Sequence, residues 1–484
     1  MQDAPATQRC DRLSATRIGC GRGLWWAVIV GLCTCMPGGI SADQRVVQIA
    51  DQNSTDRVRF LIDDSTALLH RLQLIDTAQN EVLLSAYEIG DDRVALKVLA
   101  GLRSAARRGV CTRLIVDGHA QNNRIPKAMM EYLILQGVEI REHMPDVRYK
   151  VEIGRQRMHD KLLIVDGQRL VMGGRNVRAD YYGLAKINFL DREVYLVGPT
   201  AHHARSYFLA RWNASTSGVP SLDREEKPKT RQQQALDGLN DMPRVAALQC
   251  AERWLDLAGT TTLPVGPCVC RRHSLECDCE PLMQIACIRF LHDIPERPKD
   301  EPAAIAHQLC EAISKAEHSV VIETPYLALT ENMQYRLAEV RRRGAQVRIL
   351  TNSLETTNHV IVHAQYANQR RWLLDEGIEL WELKGERHLH AKAMVIDHRW
   401  SMMGSYNFDA LAETRNSEVA LLIDDCQFAA ALSEQIRCHQ NMSQQVPIDE
   451  PLIGFDERNN DVDEKVLREA RIKRLISPWI KKYL

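Results

Sequence analysis

Two stretches of the chain carry the same polar residues at the same spacing. The first is His159-Asp160-Lys161, Asp166 and Gly173-Gly174-Arg175-Asn176; the second is His390-Ala391-Lys392, Asp397 and Gly404-Ser405-Tyr406-Asn407. Both read H-x-K-x4-D-x6-G-[GS]-x-N. An imidazole beside an ammonium suits a phosphodiester. The imidazole can attack phosphorus or protonate a leaving oxygen, the ammonium and the Asn amide can hold the non-bridging oxygens, and glycine lets the backbone come close. A single H-x-K arises by chance in many chains and reads as a surface His next to a surface Lys. Its duplication together with the Asp, Gly and Asn singles out phosphate chemistry.

The residues between the polar positions say what holds them. Leu162-Leu163-Ile164-Val165 and Ala393-Met394-Val395-Ile396 are apolar runs of strand length, each ending at a turn residue. Each block is therefore expected to be a buried strand, a turn, and a second strand with Gly and Asn at its end. On a strand, residues two apart share a face, so His159 and Lys161 project together, as do His390 and Lys392. Upstream of each block the order is helix, strand, helix, strand. Thr66 to Ala78, Val82 to Tyr87, Ala95 to Arg108 and Arg113 to Asp117 match Ile305 to Ala316, Ser319 to Tyr326, Met333 to Arg343 and Val347 to Thr351. Such alternation predicts α/β layers, and the internal duplication predicts two similar lobes.

These residues resemble the phospholipase D superfamily, whose members carry two H-x-K-x4-D blocks facing each other across a pseudo-two-fold axis. The resemblance covers most of residues 57 to 440. The context Arg157-Met158-His159-Asp160-Lys161, with Tyr181-Tyr182, Leu190-Asp191-Arg192-Glu193-Val194 and Gly198-Pro199, looks like the bacterial cardiolipin synthases, those of the C type in particular. So do Thr351-Asn352-Ser353-Leu354 and Val362-His363-Ala364-Gln365-Tyr366.

The resemblance implies an α/β fold of two similar α/β/α lobes related by a pseudo-two-fold axis, the phospholipase D fold. It implies a covalent phosphohistidine, with His159 as nucleophile and His390 as general acid. Lys161, Lys392, Asn176 and Asn407 would stabilise the transition-state charge in place of a metal, so neither metal nor other cofactor is expected. In the family a carboxylate accepts a hydrogen bond from the inner nitrogen of each imidazole. That role falls to Glu193 and Glu418, with Asp191 a rival for the first because the spacing from His159 is longer; the bland reading of either Glu is a solvated strand-edge charge. Asp166 and Asp397 are expected to be structural. The implied activity is phosphatidyl transfer, making cardiolipin from phosphatidylglycerol or another phospholipid donor. The alternative is hydrolysis of phospholipids or, with less support, of nucleic acid. A degenerate, non-catalytic lipid-binding relative would have lost a His, Lys or Asn, and the chain keeps all six.

Composition sets the outer bounds. A chain of 484 residues with 45% hydrophobic content can build two domains or one large pseudo-symmetric one. Its net charge of −1 lacks the basic field of a protein that lives on nucleic acid, so no nucleic-acid partner is expected. Residues 1–43 pair scattered Arg9, Arg12, Arg17 and Arg22 with the apolar run Leu24 to Cys35, which reads as a signal peptide or short membrane anchor and points to the periplasmic side of a cell membrane. Residues 44–220 form the expected first lobe, 221–281 a linker, 282–445 the second lobe and 446–484 a tail. In the linker, Cys268, Cys270, Cys277 and Cys279 with His273 could hold zinc or form disulfides, although paired C-x-C is not the usual zinc spacing. In the tail, Trp479 and Tyr483 among Arg and Lys suit an anionic bilayer surface or, equally, a helix docked on the second lobe. The expected partners are a phospholipid substrate, the membrane surface and, in a supporting role, a small accessory protein.

Overall fold

Leu162 and Ile164 point into one apolar core and Leu163 and Val165 into another. The strand Lys161–Val165 is therefore buried on both faces, which is why its sequence shows no polar alternation. Burying a side chain of this size contributes roughly 1.5–3 kcal/mol, so a polar residue within the run would cost more than any local propensity could return. The computed structural model describes residues 55–449 apart from 119, 121–124, 144–155, 221–241, 265–281, 295–296 and 298–302, together with residue 473. The N-terminal segment, the cysteine-rich stretch and nearly all of the tail lie outside the described residues.

The duplication in the sequence is a duplication of sheets. The first sheet runs, in order, Ser217–Gly218, Glu139–His143, Cys111–Asp117, Glu81–Ala86, Lys161–Val165, Arg169–Gly173, Glu193–Val197, Asp56–Leu61 and Met283–Ile285. The second runs Ser443–Gln445, Glu379–Leu383, Gln346–Asn352, Ser319–Glu323, Ala393–Ile396, Trp400–Gly404, Val419–Asp424 and Ile288–His292. Up to Asp56–Leu61 and Ile288–His292 the two agree strand for strand, Met283–Ile285 being an extra edge strand of the first, and parallel pairing is confined to the three strands joined by helical crossovers. The fold is thus α/β with two similar α/β/α lobes. One core is shared, drawing Leu83, Ile115 and Leu196 from the first lobe and Leu350, Val395 and Leu421 from the second. Helices Pro199–Asn213 and Cys426–Gln440 contribute Phe208, Trp212, Phe428 and Leu432 to it.

The outer helices begin at Asp64, Arg93 and Glu331, slightly before the expected Thr66, Ala95 and Met333, each behind a side-chain cap. Asp63 accepts from the Thr66 amide, Asp92 from the Val94 and Ala95 amides, and Thr330 from the Met333 amide. Two features depart from the expected organisation. Within the linker, helix Arg244–Thr260 buries Ala247, Ala251 and Leu255 against the first lobe. Beyond the expected boundary at residue 282, Met283–Ile285 still pairs with Asp56–Val58 and covers that free strand edge before the second lobe begins.

Candidate active site

Two short parallel ribbons join the lobes, and each delivers a histidine to the other lobe. Arg157-Met158 pairs with Asn416-Ser417, and Phe189-Leu190 pairs with His388-Leu389. Residues in register on neighbouring strands lie side by side. The next pair beyond one ribbon is His159 with Glu418, and beyond the other His390 with Asp191. The backbone fixes both: His159 N–H donates to Ser417 O at 3.0 Å, and His390 N–H to Leu190 O at 2.8 Å. Nδ1 of His159 then meets Oε2 of Glu418 at 2.8 Å, and Nδ1 of His390 meets Oδ2 of Asp191 at 2.7 Å. A carboxylate oxygen accepts, so Nδ1 carries the hydrogen and Nε2 is left as the reactive nitrogen.

A second pair of residues holds the ribbons from behind. Asp117 accepts from the Met158 amide at 2.9 Å. At the matching strand end, Asn352 accepts from the Leu389 amide and donates to its carbonyl, both at 2.9 Å.

The carboxylate expected at Glu193 is elsewhere. Its oxygens take both terminal nitrogens of the fully buried Arg71, at 2.8 and 3.1 Å, and Arg175 lies 3.9 Å away. The register explains the shift. Glu193 sits opposite Gly173 as Ala420 sits opposite Gly404, so the residue equivalent to Glu418 is Asp191, two places earlier. The sequence left Asp191 as the rival, and the geometry puts it on the imidazole.

The remaining polar residues of the duplicated block are withdrawn from solvent. His159, Lys161, Asn176, His390, Lys392 and Asn407 are all buried. Lys161 Nζ donates to His159 O at 2.8 Å and Lys392 Nζ to His390 O at 2.6 Å, which ties each ammonium to its own histidine. Among the described residues, Oδ1 of Asn176 and of Asn407 is buried without a hydrogen-bond partner, which leaves one acceptor open in each amide. Asp166 and Asp397 stand apart, at positive-φ turn positions. Asp166 accepts from the amides of Gln79, Asn80 and Glu81, and Asp397 from those of Glu317, His318 and Ser319. They pin the hairpin turn to the start of the neighbouring strand.

Burial governs the charges. It pushes Asp191 and Glu418 up to about 7 and Lys161 and Lys392 down to about 8 and about 7. Burial, reinforced by the two lysines, holds both imidazoles well below their ordinary value. An arriving phosphodiester anion would draw both lysines back to their charged form.

Comparison with known proteins gives the family and the fold. Residues 72–207 and 309–439, together more than half of the chain and one stretch in each lobe, match the family described as cardiolipin synthase, PLD-like domain. The chain belongs to that family. Cardiolipin synthase C of Escherichia coli (strain K12) is 26% identical over 406 residues, covering 76% of this chain and 81% of that protein. Cardiolipin synthase A of Pseudomonas syringae pv. syringae is 22% identical over 432 residues, covering 88% and 75%. In fold, the crystal structure of phosphatidylserine synthase of Haemophilus influenzae Rd KW20 superposes with a TM-score of 0.62 at 15% identity, covering 90% of this chain and 98% of that one. This member of the cardiolipin synthase-like family is thus an enzyme of the phospholipase D superfamily.

The two halves of this cardiolipin synthase-like site are not identical. A Cβ on Gly174 would lie 2.3 Å from Oδ1 of Asp191, so the first lobe needs glycine there. The second lobe has Ser405, whose hydroxyl donates to Oε2 of Glu418. Sequence reasoning assigned no role to Asp117, Asn352, Ser405 or Tyr181. The first two were detectable as the polar residues ending corresponding strands of the repeat. Ser405 and Tyr181 were not, because the corresponding positions of the other copy hold Gly174 and Ala412, which carry no hydroxyl.

Proposed function

We propose that this enzyme is a phosphatidyltransferase that makes cardiolipin from phosphatidylglycerol through a covalent phosphohistidine. The observation that carries the reading is the pair of buried imidazoles, each held at Nδ1 by the carboxylate of the opposite lobe, with two lysines beside them. One imidazole must be neutral to attack while the other is protonated to assist departure, and a two-fold pair supplies both. Nε2 of His159 attacks phosphorus, the bond to the glycerol oxygen breaks, and His390 returns a proton to that oxygen. The hydroxyl of a second phosphatidylglycerol, deprotonated by His390, then attacks phosphorus and releases His159, giving cardiolipin and glycerol. Lys161, Lys392, Asn176 and Asn407 carry the charge on the pentacovalent state. No step calls for a metal.

A phospholipid donor and acceptor both reside in a bilayer, so the enzyme is proposed to work at a membrane surface. Among the described residues no helix is long and apolar enough to cross a membrane. The test is purified protein incubated with phosphatidylglycerol vesicles. Cardiolipin and glycerol in equal amounts support the reading, and both products vanish in His159→Ala and His390→Ala. Phosphatidic acid and glycerol without cardiolipin would instead make the enzyme a hydrolase. Label from a phosphorus-labelled phosphatidyl p-nitrophenol, whose leaving group needs no proton, should remain on the protein as an acid-labile adduct in the His390→Ala variant and be absent in His159→Ala.

A further inference from the structure

The two imidazoles differ in what faces them. Nε2 of His390 lies 3.4 Å from the hydroxyl of Tyr181, a first-lobe residue whose ring meets the imidazole edge-on at 5.0 Å and 81°. That hydroxyl in turn accepts from Nδ2 of Asn176 at 3.0 Å. The hydrogen count is consistent along the whole row. Asn176 donates to the Tyr181 oxygen, the Tyr181 O–H donates to Nε2, and Nδ1–H donates to Asp191. Lys392 Nζ lies 2.8 Å from Nδ1 and 3.1 Å from Nε2 of the same ring. An atom so nearly equidistant from both nitrogens is not on the Nε2 lone-pair axis, which leaves that axis to the phenol.

Tyr181 is held in place independently of His390. Its ring stacks on Phe189 at 4.5 Å and 20°, and Phe189 belongs to the ribbon that positions the histidine. Burial pushes its phenol well above the ordinary range, so the group keeps its hydrogen. His159 has no such attendant. It meets Tyr87 edge-on at 4.8 Å, and among the described residues no hydroxyl donates to its ring. The position at the same offset from Asn407 is Ala412.

We infer that Tyr181 is a catalytic residue that passes the proton between Nε2 of His390 and the oxygen of the leaving or entering alcohol. In the first half-reaction Nε2–H gives its proton to the Tyr181 oxygen while the Tyr181 hydrogen moves to the departing alkoxide. In the second, the acceptor O–H gives its proton to the Tyr181 oxygen and the phenol hydrogen moves to Nε2. Each bond broken is matched by one formed, and Tyr181 ends each half-reaction as it began. The asymmetry also divides the roles: the imidazole without a phenol is free to attack, and the one behind a phenol handles protons. This inference rests on the proposed transfer mechanism.

The test is Tyr181→Phe in the full chain, which removes one oxygen and keeps the ring stacked on Phe189. Two reactions are compared, cardiolipin formation from phosphatidylglycerol vesicles and the pre-steady-state burst of p-nitrophenolate from bis(p-nitrophenyl) phosphate. The alcohol departing from phosphatidylglycerol needs a proton, whereas p-nitrophenolate leaves without one. The expected result is a loss of roughly tenfold in cardiolipin formation, the scale of one hydrogen bond, with the burst rate unchanged. Equal loss in both reactions means that Tyr181 only supports the fold of the pocket, and no loss in either means that it has no part; each result overturns the relay. A wild-type enzyme that makes no cardiolipin but shows the burst would instead overturn the proposed function.

Discussion

Glu418 belongs to the second lobe, yet its carboxylate lies 2.8 Å from Nδ1 of His159 in the first. Asp191 of the first lobe makes the reciprocal contact with His390 of the second at 2.7 Å. Neither histidine is complete within its own repeat. The apparently redundant halves are therefore obligatory partners, which accounts for both copies keeping every polar residue of the block.

The exchange of carboxylates gives the first prediction. Glu418→Gln and Asp191→Asn should each lower turnover by on the order of 10²–10⁴-fold, because an amide permits the wrong imidazole tautomer and no longer stabilises its cation. Glu193→Gln should behave differently. It leaves buried Arg71 without its counter-charge, so the expected effect is a loss of about 3–5 kcal/mol of stability, read as a lower unfolding midpoint. A Glu193→Gln enzyme of normal stability and greatly reduced turnover would show that the carboxylates are assigned the wrong way round.

The glycine of the first block makes a second prediction. Gly174→Ala forces a methyl into the Asp191 carboxylate and should reduce activity far more than Ser405→Ala, which removes one donor from Glu418 but adds no volume. Turnover of the two variants side by side decides it, and equal losses would contradict the close approach.

Substrate affinity should fall on the alkaline side. Burial places Lys161 and Lys392 at about 8 and about 7 in the free enzyme, so raising pH through that range removes the charges that hold an anionic phosphodiester. The expected outcome is a KM that climbs above about pH 8 while conformational stability does not fall with it. The sign for stability is opposite because, between these lowered values and the ordinary lysine value, the unfolded chain binds more protons than the folded one. A flat KM between pH 7 and about 9.5 would argue that the lysines do not hold the anion.

The turn carboxylates should report on the other end of the pH scale. Asp166 and Asp397 feel some burial, which raises them, but three backbone N–H donors each leave them below the usual carboxylate range. A depressed folded-state value stabilises above the unfolded value and is lost as pH falls through the folded one. Asp166→Asn with Asp397→Asn should therefore cost about 1–2 kcal/mol per site at neutral pH. It should also flatten the decline in stability below about pH 4. Chemical denaturation at neutral and acid pH checks both statements.

How much of this was written in the sequence depends on the range of the interaction. The duplicated block, the buried hairpin of each copy, the matching helices and strands and the α/β class are all local or periodic, and the residues declare them directly. Asp166 and Asp397 were legible as the turn residues that end each apolar run, although the backbone amides they accept from lie at least 85 and 78 residues away in the chain. Which carboxylate serves which imidazole could not be read from spacing. It depends on register in a sheet and on the pairing of two dipeptides from different lobes, and a shift of two residues along a strand exchanges Asp191 for Glu193 without altering the hydrophobic pattern. The same holds for Tyr181 against His390, a contact between residues far apart in the chain. Sequence determined the chemistry available to this enzyme; the meeting of the two lobes decided which atoms face each other, because only packing of the shared core sets that geometry.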